Sequence, residues 1–260
     1  MPGETFRTII VPTGETKHTV VLGSGGSEYW DSLPAHQKAA NHDQLAKMED
    51  WLIRHLPEPP PLPPPPIPEN LLASRYLTLG GALNRQIDPK TCTYITVANA
   101  LRILGEPGSD YSLRALQQRT ITPDGAFHKQ LTISGVNKIL SSGEPFDKFQ
   151  ATVVTGMFTF LRKLQTRKAV AIMNWPFSPA HLIRNDKVHT HARTVTGFTR
   201  NNQGLFFYFV DPYINPEIKV YSFRDLMVAS LNQSSALANG VTPNSIDRVA
   251  RSAWIIEKVS

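Results

Sequence analysis

The hydrophobic pattern at the start of the chain predicts a β-hairpin followed by an amphipathic helix. Two β-branched runs, residues 6–11 and 18–22, are separated by a segment that contains Pro-Thr-Gly, which is typical of a hairpin. Over residues 36–55, Leu45 and Leu52 recur at helical spacing and form part of one apolar face. Because the first 56 residues bury too little apolar surface to be stable alone, we expect them to dock on the remainder of the chain or on another protein.

A proline-rich segment, residues 57–68, divides the chain. Its sequence, PEPPPLPPPPIP, is mostly proline, and proline fixes φ and removes the backbone donor, so neither a helix nor an inner strand forms there. Such a segment is typical of a stiff polyproline spacer. The sequence therefore predicts an N-terminal extension over residues 1–56, a linker over 57–68 and a main domain over 69–260.

Beyond the linker, helical periodicity comes first and strand patterns follow. Helices are predicted at about residues 92–104, 113–119, 133–140 and 156–165. Strands are predicted at residues 168–175, 192–198, 205–210, 218–221 and 253–258, with one helix at 223–231 inserted among them. Helices first and strands second indicate an α+β domain with a largely antiparallel sheet.

Composition and charge exclude several classes of protein. With 41% hydrophobic and 18% charged residues among 260, the chain buries enough apolar surface to fold as a globular protein. It has no run of about 18 apolar residues, and its N-terminus lacks a basic start followed by an apolar stretch, so we expect neither a membrane span nor a secretory signal. The net charge of +6 comes from basic residues scattered singly, which does not favour nucleic-acid binding.

The single cysteine, Cys92, stands at the predicted start of a helix, after a polar loop that contains a proline. In the first turn of a helix, unpaired N–H groups and the positive end of the helix dipole lower the pKa of a thiol and favour the thiolate. A lone cysteine is more often a buried packing residue, so the position alone leaves two interpretations, a nucleophile and a core residue.

A cysteine nucleophile needs a base and a group that orients the base, and the second half of the sequence contains candidates for both. His191 starts a predicted strand, a turn at residues 201–204 reverses the chain, and the returning strand leads into Asp211. We expect His191 and Asp211 to lie at the same end of this hairpin. If the helix that begins at Cys92 packs against this end of the sheet, the three residues come together. Two alternatives stay open. His189, His191 and Asp211 are candidate ligands for a zinc ion, and an aspartate before a proline is often an ordinary turn residue.

Gln86 is a candidate for stabilising the transition state. It lies six residues before Cys92, a separation at which a side-chain amide can turn back and donate a hydrogen bond to the oxygen of a carbonyl under attack by the thiolate. The alternative is a loop amide that is exposed to water.

These motifs occur together in an order that resembles a known family. Gln86, then Cys92 with ANALRILG after it, then HARTVTGF and then FFYFVDPY are similar to the papain-like cysteine peptidase fold in its compact bacterial form. The resemblance is to bacteriocin-processing-like peptidases and to papain-like effector proteases that bacteria deliver into other cells. It covers roughly residues 76–258. One departure is Thr93, where these peptidases often have a small residue or an aromatic one.

The resemblance implies a fold and a catalytic apparatus. In this fold, N-terminal helices that carry the catalytic cysteine pack on an antiparallel sheet that carries the histidine and the aspartate. Cys92 is then the nucleophile, His191 the general base and later acid, and Asp211 the orienting residue. Gln86 and the Cys92 backbone N–H form the oxyanion hole, and no metal or organic cofactor is needed.

The expected function is that of a cysteine endopeptidase, acting as a bacterial effector or toxin that cleaves a specific cytosolic protein of a target cell. The protein is then made in the bacterial cytoplasm and secreted by a system that needs no signal peptide. A protein substrate and a cognate immunity protein are the expected partners, with no nucleic acid and no membrane, and the protein is expected to be a monomer. The alternatives are acyl transfer or glutamine deamidation by the same triad, and a binding module without catalysis.

Overall fold

A computed structural model of the chain describes residues 5–10, 17–22, 33–57, 92–105, 109–119, 131–166, 168–175, 191–201, 203–210, 218–231 and 239–259. The helices are α1 (Ala35–His55), α2 (Cys92–Leu104), α3 (Leu113–Gln118), α4 (Ile133–Leu140), α5 (Met157–Gln165), α6 (Phe223–Leu231) and α7 (Pro243–Arg251). The strands are β1 (Thr5–Ile10), β2 (Lys17–Leu22), β3 (Phe149–Val153), β4 (Ala169–Trp175), β5 (His191–Asn201), β6 (Gly204–Val210), β7 (Ile218–Ser222) and β8 (Trp254–Lys258).

The described strands form two antiparallel sheets. β1 and β2 pair with each other, which confirms the hairpin predicted at the N-terminus. The other sheet has six strands in the order β3-β8-β4-β5-β6-β7, and all its neighbours are antiparallel. The expected α+β class with an antiparallel sheet is therefore confirmed.

Helices cover both faces of the six-stranded sheet. Successive side chains of a strand point to opposite faces, and in β4 Ala171 and Met173 enter one hydrophobic core while Val170 and Ile172 enter the other. The first core is completed by residues of α1, α5, α6 and α7. The second core is completed by residues of α2, α3 and α4, so the helix that begins at Cys92 packs directly on the sheet.

Helix α1 is built into the first core. Leu45 and Leu52 are buried there, and Arg200 Nη1 in β5 donates hydrogen bonds of 2.7 and 3.1 Å to the carbonyl oxygens of Ile53 and Leu56. These carbonyls lie at the C-terminal end of α1, where backbone acceptors lack partners within the helix. The apolar face of the predicted helix thus packs on the sheet that carries β5. Residues 58–68, which make up nearly all of the predicted linker, lie outside the described residues.

One strand and one α-helix of the described part are absent from the expectations above, as is a short 3-10 helix at Phe146–Lys148. Strand β3 forms one edge of the six-stranded sheet, paired only with β8 in that sheet order. Helix α7 begins with a capping box, in which the Thr242 side chain accepts a hydrogen bond from Ser245 N–H and Ser245 interacts in return with the Thr242 backbone. The smaller differences are shifts of one to three residues at helix and strand ends, which is usual for such boundaries.

Candidate active site

Cys92 is the first residue of α2, as the sequence predicts. Its side chain is half-buried, and its Sγ lies 3.9 Å from the hydroxyl oxygen of Thr93. The helix that follows is buried over residues 94–101, so its start is held in place by core packing along its length. The side chain also packs against the second core, so this position is compatible with both interpretations, a nucleophile and a core residue.

The first turn of α2 is hydrogen-bonded to the first residues of β5. The hydroxyl of Thr96, one helical turn after Cys92, donates to the carbonyl oxygen of Cys92 at 2.7 Å and to the carbonyl oxygen of Ala192 at 3.1 Å. Thr96 and Ala192 are both fully buried. Ala192 is the residue directly after His191, so one hydroxyl joins the backbone of the cysteine to the backbone beside the histidine.

A second hydrogen bond connects the same two elements. The hydroxyl of Thr194 in β5 donates to the carbonyl oxygen of Thr96 at 3.3 Å. Thr194 is fully buried and lies two residues after Ala192, so both residues occupy the face of β5 that α2 covers. The hydroxyls of Thr96 and Thr194 thus connect α2 to β5 in both directions, and we call this pair of residues the threonine clamp.

His191 is the first residue of β5, at the strand start where the sequence analysis places it. In the antiparallel register it stands opposite Trp175, the last residue of β4. The end of β6 lies beside the same part of β5, because Val210 pairs with Thr194. A β-bulge between Val195 and Gly197 follows this pairing, and bulges of this kind are frequent next to active sites.

The structure therefore brings together the backbone positions of two predicted site residues. Cys92 and His191 stand at the two element starts that Thr96 joins. Gln86, Asp211 and His189 lie outside the described residues, although Asp211 directly follows Val210 in sequence. Their predicted roles, including the alternative zinc site, stay predictions.

The sequence analysis did not identify Thr96 and Thr194 as residues of the site region. Thr96 lies four residues after the cysteine, between Ile95 and Val97, and Thr194 lies three residues after the histidine. A threonine inside a helix usually donates its hydroxyl to the carbonyl four residues earlier, so the Thr96–Cys92 bond follows from spacing. The bond to Ala192 depends on how α2 packs on the sheet and has no signal in the sequence.

Neither a metal-binding cluster nor a membrane-spanning helix is found in the part of the chain that the structure describes. In that part, His, Cys, Asp and Glu side chains nowhere gather in a group of three or more that suits a metal ion. Nor does a described helix combine the length and the apolar character needed to cross a bilayer.

The amino-acid sequence matches no protein-family model. No curated protein matches it either.

Proposed function

We propose that this protein is a cysteine endopeptidase in which Cys92 and His191 carry out the chemistry. The observation that carries this proposal is the hydrogen bond from Thr96 to Ala192. It holds the start of the helix that bears the only cysteine against the start of the strand that bears His191. The motif resemblance described above, which includes Gln86 and Asp211, supports the same assignment.

The proposed reaction has two steps. The Cys92 thiolate attacks the carbonyl carbon of a peptide bond, and the oxygen that becomes negative accepts hydrogen bonds from the Gln86 amide and the Cys92 backbone N–H. His191, which holds the proton taken from the Cys92 thiol, then gives this proton to the leaving amine, and the acyl group stays on Cys92 as a thioester. In the second step His191 removes a proton from water, which attacks the thioester and releases the acid and the thiol. Asp211 orients the imidazole throughout.

A helix start is a suitable place for this nucleophile. The first N–H groups of a helix have no partners within the helix, and the dipole is positive at that end. Both effects stabilise a thiolate and the oxyanion formed beside it. The residues of α2 that follow are buried, so the core fixes the direction of this end of the helix.

The experiment compares purified wild type with Cys92→Ala and His191→Ala on a mixture of denatured bacterial proteins. New peptide ends are counted by mass spectrometry. His36→Ala is the matched control, because His36 lies on the exposed side of α1. The proposal expects new ends with the wild type and the control, and a loss of about 100-fold or more in both site variants.

The masses of the products separate the chemistries that one triad supports. Two fragments for each substrate mean hydrolysis of a peptide bond. A gain of about one dalton without cleavage means deamidation of a glutamine, and transfer to an added amine means acyl transfer, because all three share the acyl-enzyme on the cysteine. Deamidation or acyl transfer without new ends would overturn the assignment as a peptidase. Cleavage that persists in Cys92→Ala would overturn the assignment of the nucleophile.

A further inference from the structure

We propose that Thr96 is a positioning residue, which holds the backbone of Cys92 in place relative to the backbone of His191 by fastening the start of α2 to the start of β5. This inference rests on the proposed function, because it concerns the geometry of that nucleophile and that base. It deepens the proposal by assigning the alignment of the pair to a residue outside the triad.

The first argument is the pattern of bonds at Thr96. Its hydroxyl has one proton, and two carbonyl oxygens accept it, that of Cys92 at 2.7 Å and that of Ala192 at 3.1 Å. The Cys92 oxygen is the ordinary acceptor for a threonine within a helix. The Ala192 oxygen lies in β5, 96 residues away in the sequence. The hydrogen bond to this oxygen therefore joins α2 to β5.

The second argument is burial. Thr96, Ala192 and Thr194 are fully buried, so water does not compete for these groups. A buried carbonyl that loses its donor costs free energy, about 1–3 kcal/mol. Thr194 adds the reciprocal bond to the Thr96 carbonyl, and the threonine clamp therefore resists both sliding and separation of α2 from β5.

The third argument is the precision that catalysis needs. A nucleophile and its base act together when their reacting atoms lie within hydrogen-bond reach, about 2.6–3.2 Å. A displacement of about 1 Å can lower a rate by about 100-fold. Cys92 and His191 stand on different elements that are 99 positions apart in the sequence. Their separation is set by packing between α2 and β5, and the Thr96–Ala192 hydrogen bond joins these elements one helical turn after Cys92 and one residue after His191.

The test measures the rate at which iodoacetamide alkylates Cys92 as a function of pH. The chain has one cysteine, so labelling reports one site, and no substrate is needed. A thiol paired with an imidazolium stays reactive at about pH 6, where an ordinary thiol with a pKa of about 8.5 is mostly protonated. Wild type is expected to show this acidic reactivity, and His191→Ala is expected to lose it.

The deciding variant is Thr96→Val, which keeps the size and branching of the side chain and removes the hydroxyl. Its alkylation rate at about pH 6 is expected to fall by about tenfold or more towards that of His191→Ala. Thr96→Ser keeps the hydroxyl, and its alkylation rate at about pH 6 is expected to stay within about threefold of the wild-type rate. The control is Thr159→Val on the exposed side of α5, which is expected to leave the profile unchanged. Near-ultraviolet circular dichroism and thermal unfolding establish that each variant is folded.

Each outcome supports or overturns one of the two proposals. A folded Thr96→Val with the wild-type profile overturns the positioning role and leaves the proposed function in place. If wild type and His191→Ala show the same pH profile of Cys92 alkylation, the proposed function is overturned, and the positioning role with it. If Thr96→Val does not fold, the alkylation profile of Thr194→Val is measured instead, because this variant removes the reciprocal hydrogen bond to the Thr96 carbonyl. An intermediate loss of acidic reactivity then supports the role of the clamp, and a wild-type profile overturns it.

Discussion

Glu49 of α1 forms an ion pair with Arg224 of α6, at 2.5 Å between Oε2 and Nε. The Glu49 side chain is almost fully buried, whereas that of Arg224 is 45% exposed. The other oxygen of Glu49 accepts a hydrogen bond of 2.7 Å from the backbone N–H of Leu205, at the start of β6. One carboxylate thus connects α1, α6 and the β5–β6 hairpin.

Replacing Glu49 with alanine is expected to lower the free energy of unfolding by about 2 kcal/mol. The reason is that the buried Leu205 N–H loses its acceptor, whereas Arg224 is exposed enough to be solvated. Asp50→Ala is the control, because Asp50 lies beside Glu49 in a surface pair with Arg54, and such pairs contribute about 0–1 kcal/mol. Urea unfolding monitored by fluorescence measures both. Equal effects of the two substitutions would contradict the bridging role of Glu49.

Gly204 begins β6 with φ +129°, in the region that favours glycine. A Cβ at this position would collide with the Glu49 carboxylate. Gly143 also has a positive φ, +101°, but open space around the place of its Cβ. Both alanine substitutions therefore introduce backbone strain, and only Gly204→Ala adds a collision.

We expect Gly143→Ala to cost about 1 kcal/mol and Gly204→Ala at least about 1 kcal/mol more. In a Glu49→Ala background the difference should shrink, because the colliding group is gone. Equilibrium unfolding of the two single variants and the double variants measures this. The same cost at both glycines would show that Glu49 does not crowd Gly204.

Deletion of residues 1–57 is expected to prevent cooperative folding of the remaining chain. Leu45, Leu52 and Leu56 are buried in the first core, and each contributes about 1.5–3 kcal/mol by burial, against a total stability of about 5–15 kcal/mol for a typical domain. A peptide of residues 33–57 added in trans should restore part of the thermal transition. A truncated chain that unfolds cooperatively at the full-length midpoint would contradict this expectation.

The pattern of the sequence located the central elements well. Helix α2 begins at Cys92 and ends at Leu104 as predicted, and α6 has the predicted bounds of Phe223–Leu231. In both, apolar residues recur at helical spacing, as Phe223, Leu226 and Met227 do in α6. Strand β3 was not predicted because it has only five residues, of which Phe149 to Ala151 alternate between buried and exposed. Helix α7 was not predicted because its residues are mostly polar, although Thr-Pro at its start was a usable signal.

The candidate site could be predicted only in part. A cysteine at a helix start and a histidine at a strand start are local features, and the sequence located both. The residues that join these elements are ordinary threonines, and their role depends on which turn of α2 meets which residue of β5. The Thr96–Ala192 bond therefore emerges only from the packing of the folded chain.

The most direct test of the central claim compares wild type with Cys92→Ala, each expressed in the cytosol of a bacterium. Growth and the ends of cellular proteins are followed together by mass spectrometry. The account predicts new protein ends with the wild type and none with Cys92→Ala, together with arrested growth where the cleaved protein is essential. Two results would contradict the account. One is an equal number of new protein ends with wild type and with Cys92→Ala. The other is that neither protein produces new ends in the cell and purified wild type cleaves no denatured protein.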